Sequence, residues 1–170
     1  MSQGSRGYSR GRYEGILSAI SVGFFLILVG TLFVTTPNLL DKVVTFLSHF
    51  NVVQVGNTNI YVPTPQHLAD DIGKSVYLAA REFSLVWGVF LIAMLGTRFL
   101  LDSPLRRKAE NIGDIVFWLG ATYLIQTFLV APTVIDVTKW FEFWAAVIMF
   151  IGVSLIARAI FLAAIRARNI

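Results

Sequence analysis

The chain has two histidines, His49 and His67, and His67 stands three and four residues before Asp70 and Asp71. On a helix, that spacing brings an imidazole and two carboxylates onto one face, as a bound divalent metal would require. One imidazole and two carboxylates fall short of a full ligand set. A helix start that favours acids through its dipole accounts for the same residues, so no metal site is expected. There is no Gly-x-Ser-x-Gly, no glycine-rich phosphate loop and no cysteine. Nucleophile–base pairs, phosphate cradles and thiolate chemistry therefore have no sequence support. Neither catalytic residues nor a cofactor is expected.

Ionisable residues inside long apolar stretches are functional candidates by default. Asp114 and Arg158 carry opposite charge at matching depth near one membrane boundary, which predicts an ion pair between neighbouring helices. The alternative for Arg158 is to snorkel toward the headgroups. Arg98 and Asp102 have the i, i+4 spacing of a local pair. At the other boundary Arg81, Glu82, Asp136, Lys139 and Glu142 should lie at similar height, a polar cluster that braces the helices rather than conducting ions. Thr122, Gln126 and Thr127 are expected to hydrogen-bond between helices. Glu14 follows Arg10, Gly11, Arg12 and Tyr13, which puts it at the interface and not mid-membrane.

Four apolar stretches, at about 16–36, 83–101, 112–131 and 140–165, must position these groups. Crossing a bilayer core takes about 20 helical residues. Hydrophobic residues make up 56% of the chain and charged residues 14%, against about 25% charged in soluble domains. With a mean hydropathy of +0.70, lipid is the fitting solvent for much of this surface. The predicted fold is an all-α membrane protein, a bundle of four transmembrane helices forming a single domain over 13–170, with the lipid bilayer as first partner. Gly15, Gly23 and Gly30 fall near one face of the first span, where small residues let helix backbones approach closely.

The net charge of +4 would suit nucleic acid only if its placement were ignored. Of 14 Lys and Arg residues, ten fall on one side of a four-span arrangement: Arg6, Arg10, Arg12, Arg98, Arg106, Arg107, Lys108, Arg158, Arg166 and Arg168. Lys42, Lys74, Arg81 and Lys139 fall toward the other. The positive-inside rule then puts both termini in the cytoplasm of a multi-pass cell-membrane protein, with no nucleic-acid partner. Residues 1–12, rich in Gly, Ser and Arg, are expected to form a disordered basic cytoplasmic tail. Tyr13, Trp140 and Trp144 mark interfaces, whereas Trp87 and Trp118 lie deeper and are expected to pack inside.

Residues 37–82 form the only sizeable region outside the bilayer. Leu40, Val43, Val44, Leu47 and Phe50 predict a short amphipathic helix that lies on the outer surface or caps the bundle. Val52–Val55 and Ile60–Val62 flank Gly56-Asn57, a hairpin signal. Thr64-Pro65 reads as the N-cap and first residue of a helix running through Leu68, Ile72 and Val76 into span two, with a bend at Gly73. Unbroken, that helix would be about 55 Å long. The very short link 133–139 predicts that spans three and four form an antiparallel helix pair.

The phrases Gly15-Ile16-Leu17-Ser18-Ala19-Ile20, Phe83-Ser84-Leu85-Val86-Trp87-Gly88 and Phe117-Trp118-Leu119-Gly120-Ala121 resemble those of small uncharacterised archaeal four-span membrane proteins with no assigned activity. The resemblance implies no substrate and no site residues. Without chemistry, and with one organised outer region, the expected role is a non-catalytic structural or accessory subunit that interacts through 37–82. The alternative is a small oligomeric transporter or channel. The expected partner beyond lipid is another membrane protein or further copies of this chain.

Overall fold

The structure, a computed structural model, describes the backbone of residues 4–101 and 103–168, and the side chains of residues 13, 15–101, 103–165 and 167. Five helices and one hairpin follow in the order α1 (Gly4–Thr35), α2 (Leu39–Ser48), β1 (Phe50–Gln54), β2 (Tyr61–Pro65), α3 (Asp71–Leu100), α4 (Leu105–Ile125) and α5 (Val137–Arg168). Four of the helices, all but α2, are long and apolar enough to cross a membrane. The helix α1 begins at Gly4, so backbone expected to be disordered is helical from residue 4. Extending an existing helix costs far less than nucleating one.

Helix-to-helix packing runs as a row: α1 on α3, α3 on α4, α4 on α5. The α4–α5 pair confirms the predicted helix hairpin. Close approach has a side-chain requirement at Gly120, where a Cβ would collide with the ring of Phe150. Between α1 and α3 the seam is aromatic. Phe24 stacks on Phe90 at 4.0 Å, and Trp87 meets Phe25 at 5.8 Å and Phe90 at 5.3 Å. Trp118 of α4 joins them through Phe83 at 5.5 Å, so both deep tryptophans meet neighbouring helices while remaining half-buried. The α1 glycines do not behave as expected. Among the described residues nothing lies within 4 Å of a Cβ built at Gly15, Gly23 or Gly30, so no helix packs closely on these glycines. Ser21 and Thr31 return their hydroxyls to carbonyls one turn back, which hides them in an apolar helix.

The chain turns sharply between α1 and α2. Pro37 cannot continue the helical hydrogen bonding, and Asn38 adopts the left-handed region at φ 55°, which asparagine tolerates better than most residues. The helix α2 appears as predicted except that Phe50 of the predicted stripe opens β1, and the packed face differs. Leu39 and Phe46 are buried, while Leu40, Val44 and Leu47 of the predicted stripe are about three-fifths exposed (60%, 58% and 62%). The helix is apolar on two faces, and the one that caps the other helices is the one that brings Phe46 onto Tyr77 of α3 at 5.6 Å.

The hairpin also forms. Phe50 pairs with Pro65, Val52 with Pro63 and Gln54 with Tyr61 in an antiparallel ladder. The turn is wider than a two-residue Gly-Asn turn, since Val55 N–H donates to Ile60 O at 2.9 Å and Thr58 N–H to Val55 O at 3.1 Å. Thr64-Pro65 closes this strand rather than opening a helix, which corrects the predicted helix start. The α3 helix starts at Asp71, and Asp70 accepts from Gly73 N–H at 3.0 Å as its N-cap. There is no bend at Gly73, which lies in the first turn of α3. A side chain there would overlap the His67 carbonyl oxygen, and this contact explains the glycine.

Gly73→Ala is therefore expected to destabilise the protein by about 1–3 kcal/mol, the range for forced overpacking. Thermal unfolding of the detergent-solubilised variant checks this. An unchanged midpoint would show that the 66–70 turn yields freely.

Candidate functional site

The end of the molecule away from the termini carries a small platform made of α2 and the hairpin. Its seat is an aromatic node. Trp140, buried near the start of α5, donates its indole N–H to Pro63 O at 3.0 Å. Phe46 of α2 meets Trp140 at 6.4 Å edge-on, and Tyr77 of α3 donates its hydroxyl to Leu68 O at 3.1 Å. Lys42 of α2 adds a bond to Ser75 Oγ of α3 at 3.0 Å.

The hairpin's hydrogen bonds fix which way each edge faces. Gln66 N–H donates to His49 O and Val55 N–H to Ile60 O, both at 2.9 Å. In an antiparallel ladder inward-facing pairs alternate with outward-facing ones. Thr64–Asn51 and Val62–Val53 therefore face inward, and positions 50, 52, 54, 61, 63 and 65 turn their backbone groups outward. Two of the outward positions on β2 are Pro63 and Pro65, which have no N–H to offer, and Trp140 occupies the Pro63 carbonyl. Phe50, Val52 and Gln54 on β1 keep both groups. Val52 is 72% exposed, and no backbone partner meets this edge among the described residues.

Behind the hairpin, His67 Nδ1 and Asp70 Oδ2 share a 2.5 Å hydrogen bond, and the His49 ring stands edge-on to His67 at 5.9 Å. Among the described residues no group of three or more His, Asp or Glu side chains converges as metal ligands would. Desolvation raises the Asp70 carboxyl, but the Gly73 amide together with the bond and charge of His67 outweighs it and holds Asp70 below the ordinary carboxylate value. The platform-end polar residues form two groups instead of one cluster. Arg81 donates to Gln126 Oε1 at 2.6 Å and lies 3.9 Å from Glu82. Lys139 pairs with Glu142 at 2.7 Å, and its backbone N–H donates to Asp136 Oδ1 at 2.8 Å, which caps α5. Gln126 opens a π-helical turn (Gln126–Val130) at the end of α4, whose wider hydrogen bond runs from Ala131 N–H to Gln126 O at 2.8 Å. Gln126 is the interhelical partner it was expected to be. Thr122 instead donates to Trp118 O of its own helix at 3.0 Å.

At the end that holds both termini, the predicted Asp114–Arg158 pair gives way to another. Arg158 Nη2 lies 3.0 Å from Glu110 Oε1, and among the described residues Asp114 forms no ion pair. Glu110 also takes Arg106 at 3.0 Å and Arg107 at 3.5 Å. Glu110 stands one turn nearer the start of α4 than Asp114 and so within reach of an arginine that extends toward the boundary. Its i, i+4 spacing from Arg106 was the available signal. The expected Arg98–Asp102 pair lies outside the described residues, because Asp102 does. Arg98 Nη1 donates to Arg107 O at 2.9 Å.

No family model, no curated protein and no solved structure matches this chain in comparisons, and nothing in them bears on the archaeal resemblance.

Two expectations follow for stability. Asp70→Ala should cost about 1 kcal/mol through loss of the cap, and Asp70→Asn less, because asparagine also caps. The carboxylate's folded pKa is depressed, so its extra stabilisation is present above the unfolded value near 3.8 and is lost as pH falls through the folded one. Unfolding midpoints followed into the acid range should show wild type losing this increment and Asp70→Asn having none to lose. Parallel acid curves would rule the charge out. Separately, Glu110→Gln should destabilise by about 1 kcal/mol, more than Asp114→Asn. Equal midpoints for the two variants would show that the observed pair matters no more than the predicted one.

Proposed function

We propose that the chain is a multi-pass membrane protein with both termini in the cytoplasm. Its role is that of a non-catalytic accessory subunit which binds an extended segment of another membrane protein along the open edge of β1. The membrane setting is supported by four helices of sufficient length and apolarity, and the orientation by the ten cationic residues at the terminal end.

The observation that carries the docking mode is the asymmetry of the hairpin. On β2 two prolines and the Trp140 bond block two of the three outward positions and leave Tyr61 alone, whereas β1 turns three residues, Phe50, Val52 and Gln54, outward with no backbone partner among the described residues. An open edge templates strand addition, with main-chain hydrogen bonds supplying affinity and alternate side chains supplying selectivity. Exposed Leu40, Val44 and Leu47 on α2 widen the apolar surface offered beside it. The alternative, a small oligomeric transporter or channel, is supported by the uncovered glycine face of α1, which suits close packing of further copies.

Native mass spectrometry of the protein released from its own membranes tests both. One copy bound to a second polypeptide, with that complex lost in Val52→Pro, is the expected result. The substitution removes an outward-facing N–H and leaves the β1–β2 ladder intact. A homo-oligomer with no other polypeptide, insensitive to Val52→Pro, would replace the accessory role with the oligomeric one and call for flux assays in liposomes.

A further inference from the structure

At the end holding the termini, a cleft of about 430 Å³ is lined by Gly15, Ser18 and Ser21 of α1, Arg98 of α3 and Arg107 of α4. We propose that this cleft holds the phosphate of an anionic lipid, with the two guanidiniums as its recognition groups. The proposal goes beyond the accessory role and shares only the membrane setting with it.

Charge arithmetic is the first argument. Three guanidiniums, those of Arg106, Arg107 and Arg158, share the single carboxylate of Glu110. Arg98 has one nitrogen on the Arg107 carbonyl, and its Nε is buried with no hydrogen-bond partner among the described residues. Lys108, buried one residue further along α4, places its ammonium over the Phe99 ring at 4.6 Å. Five described cations at this end, Arg98, Arg106, Arg107, Lys108 and Arg158, thus face two described carboxylates, Glu110 and Asp114, and the buried Arg98 Nε and the exposed Arg107 guanidinium can donate charge-assisted hydrogen bonds to an oxyanion.

Position is the second argument. Arg98 stands in the last turn of α3 and Arg107 in the first turn of α4, so both sit at the boundary between apolar helix and aqueous link, the level of lipid phosphates. The positive end of the α4 dipole lies at the same level. On the α1 side the lining is small and hydroxylic, and Gly15 meets nothing within 4 Å of a built Cβ, so the headgroup has room. Ile16 and Ile20 flank these residues on α1 and are half exposed (50% and 49%), which offers acyl chains an apolar surface continuous with the cleft. A phosphate free in solution has the same oxyanion chemistry but no use for that surface.

The test reconstitutes the full chain in phosphatidylcholine nanodiscs with and without phosphatidylglycerol, and reads lipid adducts by native mass spectrometry and thermal unfolding midpoints. Wild type should retain phosphatidylglycerol in preference to phosphatidylcholine and gain stability from it. In Arg98→Gln/Arg107→Gln the retained phosphatidylglycerol should fall at least about tenfold, a change of about 1.4 kcal/mol. Lys74→Gln, at the opposite end, should bind as wild type does. Gly15→Leu intrudes on the cleft without altering any charge and should also lower retention, which keeps the test decisive if the double arginine variant does not fold. Equal retention of the two lipids, or undiminished phosphatidylglycerol binding in Gly15→Leu, would overturn the proposal. Stabilisation by inorganic phosphate without preference between the lipids would overturn the lipid as its source.

Discussion

Trp140 is the residue on which the platform depends. Its ring is buried against Phe143 at 6.0 Å and Phe46 at 6.4 Å, while its N–H holds the Pro63 carbonyl of the hairpin. A two-stranded hairpin is marginal alone in water, and a ten-residue helix is little better. Each becomes stable here because one aromatic node joins α2, α3, α5 and β2, and Tyr77 ties in the 66–70 turn through Leu68. A buried indole needs an acceptor, and Pro63 has an outward-facing carbonyl that the ladder does not use. Each group satisfies what the other lacks.

Much of this was legible from residue patterns. The four apolar stretches, the short amphipathic helix and the hairpin around Gly56 all rest on local periodicity or turn chemistry, which act over a few residues. The misreadings sit where a distant partner decided between two acceptable local choices. Thr64-Pro65 is a sound helix start in isolation, but pairing with Phe50 and Asn51 draws it into a strand. The face of α2 that packs is chosen by Tyr77, and no property of α2 alone distinguishes Leu39 and Phe46 from Leu40 and Leu47. Gly73 reads as a flexible point in sequence. In the structure it marks a close approach by the His67 carbonyl.

The candidate sites follow the same division. Arg81 and Lys139, read from sequence as one cluster, find separate partners, Gln126 at the end of α4 for one and Glu142 of its own helix for the other. Height along a helix can be counted from sequence, whereas azimuth depends on how the helices are rotated in the row. Arg158 shows the converse case. Its Cβ lies beside Gly113, next to Asp114, but the acid its long side chain meets is Glu110, one turn away. The open cleft beside Arg98 had no sequence signal, because three helices contribute its lining.

The hairpin's two unlike edges bear on stoichiometry. A sheet that accepts new strands on both sides can elongate without limit, as fibres do. Here two prolines and an indole block two of the three outward positions on one side, so strands enter on the other. If two copies of this chain met through β1, they would make one four-stranded sheet with both remaining margins proline-capped, and growth would stop there. A pairing of two copies on this surface is therefore self-limiting.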